Sequence, residues 1–165
     1  MSSSAGAARM PATDSAVLGR MAGKVFIFPL RVYYEDTDAA GIVYYANYLK
    51  FIERARTEML RLAGIDHSSM RQEHGVLFIV RNCTLDYRQP ARLDDMLDIH
   101  TRILAVKGAT LAAEQIVTRD GTVLVHADLR LACINENGAP VRFPPNLRNA
   151  LEALRLGSQQ AGTGS

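Results

Sequence analysis

Between Tyr45 and Leu62 the apolar residues Tyr45, Tyr48, Ile52, Ala55, Met59 and Leu62 recur at spacings of 3, 4, 3, 4 and 3. That period places them in one stripe along an α-helix. Lys50, Glu53, Arg54, Arg56, Glu58 and Arg61 fall between them as a polar side, and Gly64 stops the helix near Ala63. Almost everything downstream reads as β-strand. The stretches 76–88, 96–106, 110–119 and 122–135 are rich in Val, Ile, Leu and Thr. Lys107-Gly108, Asp120-Gly121 and Asn137-Gly138 mark turns, the second being a two-residue hairpin signal. An earlier strand spans 24–34, where Pro29 points to an edge or a bulge. A short helical turn over 66–74 has Asp66 as its cap. A closing helix over 144–156 carries Leu147, Leu151 and Leu154 on one face and proline in its first turn. Long antiparallel strands with an apolar face must bury it, and the one long helix is the available cover. The chain is therefore expected to be α+β, an antiparallel sheet on one helix.

A chain of 165 residues, 48% hydrophobic and 22% charged, suits one globular domain with a substantial core. We place that domain at 24–156, between a Ser-, Ala- and Gly-rich disordered tail (1–23) and a second disordered tail (157–165). The first tail lacks the apolar core of a signal peptide. A net charge of +2, from 19 basic and 17 acidic residues, gives no electrostatic case for nucleic acid or a membrane surface. No apolar run approaches the roughly 18 residues of a membrane span. Cys83 and Cys133 form no CxxC and read as buried free thiols, compatible with a reducing cytoplasm. His67, His74, His100 and His126 show no tight ligand spacing and read as surface or strand residues.

The densest chemistry lies just ahead of the long helix. Asp36 and Asp38 flank Thr37, and Gly41 follows. Acids and Thr before a helix ordinarily cap it or form turns. Asp38, seven residues before Tyr45, is too far away to cap this helix, whereas Asn47 can cap a helix beginning at Tyr48. Gly41 can take a positive φ and let the chain pass closely around something. Asp36 is assigned to bonding the loop backbone. Asp38 is then a carboxylate on a loop that leads into a helix N-terminus, with its unpaired N–H groups and partial positive charge. Such N–H groups stabilise charge that develops on a carbonyl oxygen during acyl transfer. A neighbouring carboxylate can act as general base on water or attack as nucleophile. The combination suits hydrolysis of an activated acyl bond, and no G-x-S-x-G, Ser-His-Asp motif or nucleophile-like Cys competes with it.

The run Y-x-x-D-T-D-x-x-G-x-V-Y-Y-x-N-Y over 33–48 closely resembles the motif of the 4-hydroxybenzoyl-CoA thioesterase group of the hotdog superfamily. The longer match, RVYYEDTDAAGIVYYANYLKFIERARTEML with YRQPARLDDML downstream, is similar to the Tol-Pal-associated acyl-CoA thioesterase branch and covers about 30–135. The resemblance implies a hotdog fold, a curved antiparallel sheet wrapped around one long central helix. It implies hydrolysis of acyl-CoA with Asp38 carrying catalysis and the backbone N–H of Tyr45 polarising the thioester carbonyl. It also implies a homodimer or homotetramer with sites at the subunit interface, the acyl chain lying between the helix and the neighbouring subunit, and no metal or redox cofactor. Candidate substrate contacts are Gly41, Val43, Tyr44, Asn47, Arg88 and Arg92, the two arginines for the phosphates of CoA. Arg142 is a further candidate for those phosphates, and Asn47 is either the helix cap or a contact near the thioester. Tyr44, Tyr45 and Tyr48 form a cluster suited to core or interface. One departure is Tyr45, where many members of that branch have His. Glu58 is expected to pair with Arg54 or Arg61 at helical spacing rather than to carry catalysis.

Two other readings use the same pocket. A non-catalytic acyl-CoA or acyl-carrier-protein binding module has little need of a carboxylate beside the thioester. A dehydratase wants a His paired with an acid near the helix, and no His lies between 33 and 66.

Overall fold

A computed structural model describes residues 18–157. In chain order the elements are β1 (Arg20–Ala22), β2 (Val25–Arg31), a 3-10 turn (Tyr34–Asp36), α1 (Asn47–Leu62), α2 (His67–His74), β3 (Val76–Tyr87), β4 (Met96–Lys107), β5 (Thr110–Arg119), β6 (Thr122–Asn135) and α3 (Pro145–Leu156). The strands form one six-stranded sheet in the order β1-β2-β4-β5-β6-β3, with every neighbouring pair antiparallel. The inner face of this sheet packs on the apolar face of α1, as the sequence predicts. Phe26, Ile99, Val117, Leu124 and Val125 come from the strands, and Phe51, Ile52 and Ala55 from the helix; all are buried in one core. Burying a side chain of Phe or Ile size stabilises by about 1.5–3 kcal/mol, so this contact is what holds the helix against the sheet.

The stripe on α1 is rotated slightly from its expected centre. Tyr48, Phe51, Ile52, Ala55, Met59 and Leu60 are buried, whereas Tyr45 precedes the helix and Leu62 is exposed. The helix begins at Asn47 with Ala46 as its cap residue and no capping side chain, so Asn47 is not the N-cap. The short helix and the hairpin follow expectation. Asp66 accepts hydrogen bonds from the Ser69 N–H at 2.9 Å and the Ser69 hydroxyl at 2.6 Å, and Gly75 closes α2 in the left-handed region. Asp120 and Gly121 both take positive φ, 49° and 80°, as a tight hairpin of this twist requires.

The first tail is shorter than its composition suggests. Arg20–Ala22, inside the 1–23 segment assigned to disorder, pair with Val25–Ile27 to form the β1 edge. A segment too polar to build a core still adds a strand when its backbone finds a ladder. Residues 1–17 and 158–165 lie outside the described residues. Pro29 sits in β2 beyond the last residue paired with β1, so its missing N–H costs no ladder bond on that side.

The opposite edge, β3, carries a bulge between Val80 and Asn82. The extra residue, Arg81, resets the alternation, so Phe78, Val80, Cys83, Leu85 and Tyr87 all stand opposite the buried positions of β6 and face α1. That face is only partly covered, since Val80 and Tyr87 stay exposed.

Candidate active site

The chain from Tyr33 to Ala46 folds as a small hairpin, and its hydrogen bonds explain each acid. The Tyr33 N–H donates to Asp36 Oδ2 at 2.8 Å, which closes the 3-10 turn. Asp36 is thus the loop-holding acid, as expected. Thr37 bridges Val43, the Asp38 N–H donates to the Ile42 carbonyl at 2.9 Å, and the Gly41 N–H donates to the Asp38 carbonyl at 3.0 Å. Gly41 turns the chain with φ of 77°, strained for any residue with a Cβ. Asp38 therefore stands at the exposed tip, its Oδ1 accepting from the Ala40 N–H at 2.9 Å and its other oxygen turned outward without a partner among the described residues.

The returning strand of the hairpin runs straight into α1. The Tyr44 N–H and the Asn47 side-chain amide both donate to the Asp36 carbonyl, at 3.0 and 2.9 Å. Asn47 thus fastens the acid-bearing loop to the start of the helix. The Tyr45 N–H donates to none of the described residues. With no side-chain cap and no acid in the first turn of α1, the positive end of the helix stays open at this point. About three residue steps separate the levels of Asp38 and Tyr45 along the hairpin, a span on the order of 10 Å at most. A thioester carbonyl and a water molecule fit within it.

A second loop supports the first. The Val43 N–H donates to the Ala91 carbonyl at 2.9 Å, and Ile42 bridges Arg92. The Ala91 N–H in turn donates to the Tyr48 hydroxyl at 3.0 Å, deep in the protein. Burial pushes the Tyr48 phenol up from its usual range, so it stays a neutral acceptor. Asp95 clasps the loop: its Oδ2 accepts from the Arg92 N–H at 2.8 Å and from Arg119 Nη1 at 2.7 Å. Partial burial works to raise the Asp95 carboxyl, but these hydrogen bonds and the Arg119 charge win and hold it below the usual carboxylate range.

The predicted substrate contacts separate into groups. Gly41, Tyr44, Asn47 and Arg92 gather on or beside the hairpin. Val43 is 4% exposed and turns into the core, so its backbone supports the loop while its side chain lines no open surface. Arg88 is drawn to Asp86 at 2.9 Å, at the end of β3, and Arg142 lies in the segment before α3, on neither loop. Glu58 pairs with Arg61 at 3.3 Å, as helical spacing suggests.

Sequence reasoning missed Tyr87. Its hydroxyl donates to the Tyr45 carbonyl at 3.0 Å, and its ring meets Tyr45 and Tyr48 edge-on at 6.2 and 5.8 Å. The YRQPARLDDML match contains both Tyr87 and Asp95, and that was the available signal. Strand register also brings Glu114, His126 and Asp128 together, with ligand atoms within 4.8 Å of one another, although no sequence spacing suggests it. Arg102 already faces Glu114 at 3.6 Å, so this group reads as a surface ion-pair network. Cys83 and Cys133 are free, and burial pushes both thiols up, away from the nucleophilic range.

Known proteins are similar to this chain in sequence and in fold. A family model described as the thioesterase-like superfamily matches residues 32–151, which include the hairpin, all of α1 and the supporting loop. The acyl-CoA thioesterase YbgC of Haemophilus influenzae is 43% identical over 131 residues, 79% of this chain and 96% of the relative. The acyl-CoA thioester hydrolase YbgC of Escherichia coli O6:H1 is 44% identical over 122 residues, 73% of this chain and 87% of the relative. A crystal structure of a probable thioesterase from Bartonella henselae superposes with a TM-score of 0.69 at 38% identity, covering 73% of this chain and 99% of that one. The sheet wrapped on α1 is the hotdog arrangement, and the chain belongs to the thioesterase-like superfamily.

Proposed function

We propose that this protein hydrolyses acyl-CoA thioesters, with Asp38 as the carboxylate and the Tyr45 N–H as the group that polarises the thioester carbonyl. The supporting observation is the open start of α1: it has no capping side chain, and the hairpin that presents Asp38 delivers the chain directly into it. An N–H with no internal partner at a positive helix end lowers the energy of an oxyanion. In the hydrolytic step water gives a proton to Asp38 as its oxygen bonds the carbonyl carbon. The carbon–sulfur bond breaks, and the proton passes from Asp38 to the departing CoA thiolate. Attack by Asp38 itself would give an anhydride that water then opens, with the same products. Arg92, exposed beside the hairpin, is assigned to a phosphate of CoA or of an acyl carrier protein.

The site is proposed to be completed by a second copy of the chain, as a dimer or tetramer. Among the described residues β3 is a twelve-residue sheet edge with Ile79 and Val80 exposed on its two faces, and its unpaired backbone groups suit another strand. Two free thiols agree with action in the cytoplasm.

The test is thiol release from a panel of acyl-CoAs by wild type and by Asp38→Asn, with folding checked by circular dichroism. Loss of about 10²-fold or more in the folded variant supports the assignment, that being the scale of general-base catalysis. Full activity in Asp38→Asn refutes it. A wild type that binds every thioester and cleaves none would favour a binding module.

A further inference from the structure

About 14 Å further along α1 from Asn47, the structure holds a cavity of about 230 Å³ between α1 and strands β3, β5 and β6. At the ~30 Å³ that a water occupies, it has room for roughly seven heavy atoms. Its lining is mostly apolar, including Leu60, Phe78, Leu111 and Leu131, with Arg56, Glu53, Thr57 and His67 as the polar members. Arg56 Nη1 donates to Gln115 Oε1 at 2.9 Å. Gln115 is fully buried and fixed by donating to the Ile52 carbonyl at 2.8 Å and to the Thr101 hydroxyl at 2.9 Å. This network aims the guanidinium, yet Arg56 has no ion pair among the described residues. Glu53, the acid among the lining residues, is exposed and makes no ion pair with it. Among the described residues no fully buried side-chain nitrogen or oxygen lacks a partner, so the unbonded Nε and Nη2 of Arg56 reach open space.

A largely buried guanidinium with a fixed neutral partner and no counter-ion is electrostatically incomplete. Burial disfavours its charge and the Glu53 carboxylate favours it without an ion pair; an anion delivered into the cavity would favour it further. The fork of two remaining N–H donors matches a carboxylate. β3 joins this cavity to the helix start: Tyr87 touches Tyr45 at one end, and Phe78 and Val80 line the cavity at the other. We propose that the cavity receives the far end of the acyl chain and that Arg56 selects acyl groups carrying a carboxylate there, the half-thioesters of α,ω-dicarboxylic acids. This rests on the thioesterase reading above.

The experiment compares kcat/KM for ω-carboxyacyl-CoAs and unsubstituted acyl-CoAs of matched length, in wild type, Arg56→Met and Arg56→Lys. Wild type should prefer a carboxylated chain by roughly 10- to 100-fold, the range of a hydrogen bond to a charged group. Arg56→Met should bring the ratio near unity, and Arg56→Lys should keep part of it. Equal or better turnover of the plain chain by wild type overturns the proposal, whether or not Arg56→Met folds. So does an Arg56→Met variant that splits the oligomer and leaves the ratio unchanged, because the cavity is then filled by a second copy. Should wild type cleave no thioester, the hydrolase reading fails. The cavity is then decided by thermal shift with the free dicarboxylic acids: stabilisation by these and not by monocarboxylic acids upholds it, and no difference overturns it.

Discussion

Tyr48→Phe isolates one atom that joins the long helix to the loop supporting the Asp38 hairpin. The Tyr48 hydroxyl accepts the Ala91 N–H at 3.0 Å; Tyr48 is 3% exposed and Ala91 0%. Phe keeps the ring and its packing on Phe51 at 5.9 Å, so little apolar burial is lost. What changes is that a buried backbone N–H loses its acceptor. An unsatisfied buried donor costs about 1–3 kcal/mol, so the expected loss is about 2 kcal/mol. For a domain of this size each kcal/mol moves Tm by roughly 4 °C, and the variant should melt about 8 °C below wild type in calorimetry. Urea unfolding should give a lower midpoint with an unchanged m-value, because the surface exposed on unfolding is the same. Tyr34→Phe, at a residue 83% exposed and outside the core, should leave Tm unchanged as the control. A Tyr48→Phe variant that melts within about 2 °C of wild type, below 1 kcal/mol on this scale, would refute the reasoning, since the Ala91 N–H would then have been satisfied some other way.

Two further changes test the hairpin's supports. Asn47→Ala removes the bond to the Asp36 carbonyl while leaving the Tyr44 N–H bond in place. Steady-state kinetics should show kcat/KM falling on the order of 10-fold or more, because small displacements of catalytic groups are costly, while Tm falls by no more than about 4 °C. Asp95→Asn tests a pH dependence. The folded carboxyl lies below its unfolded value of about 3.9. Its contribution is therefore fully present above that value and is lost as pH falls from about 4 through the depressed folded value. In Tm measured across pH, wild type and variant should differ at neutral pH and converge in that acidic window; a gap that instead widens on acidification would contradict the assignment.

The parts that were legible in the sequence are those where one residue type does one local job. Gly41, Gly75 and Gly121 all take the positive φ that their turns demand, and Asp66 caps α2 because its side chain reaches only its own helix. Strand ends near Asp120-Gly121 were fixed by the same local chemistry. Asn47 shows where such reasoning stops. Its side chain could accept from the N–H groups of its own helix or donate to a neighbouring loop, and composition cannot rank these partners; the folded chain has it donate to the Asp36 carbonyl. Arg20–Ala22 failed for a related reason, since a strand with no apolar pattern exists only because β2 offers it a ladder. The Arg56–Gln115–Thr101 network was equally hidden, each residue reading as an ordinary helix or strand position until register set them side by side. The contrast has a functional consequence. An uncapped helix start is a local defect that a stability argument alone would have filled with Asn47. By spending Asn47 on the hairpin instead, the chain leaves N–H groups unpaired beside a carboxylate it has placed at an exposed tip. On the proposed mechanism, departure from the locally best choice is what turns an ordinary loop-to-helix junction into a place where a carbonyl oxygen can be held and attacked.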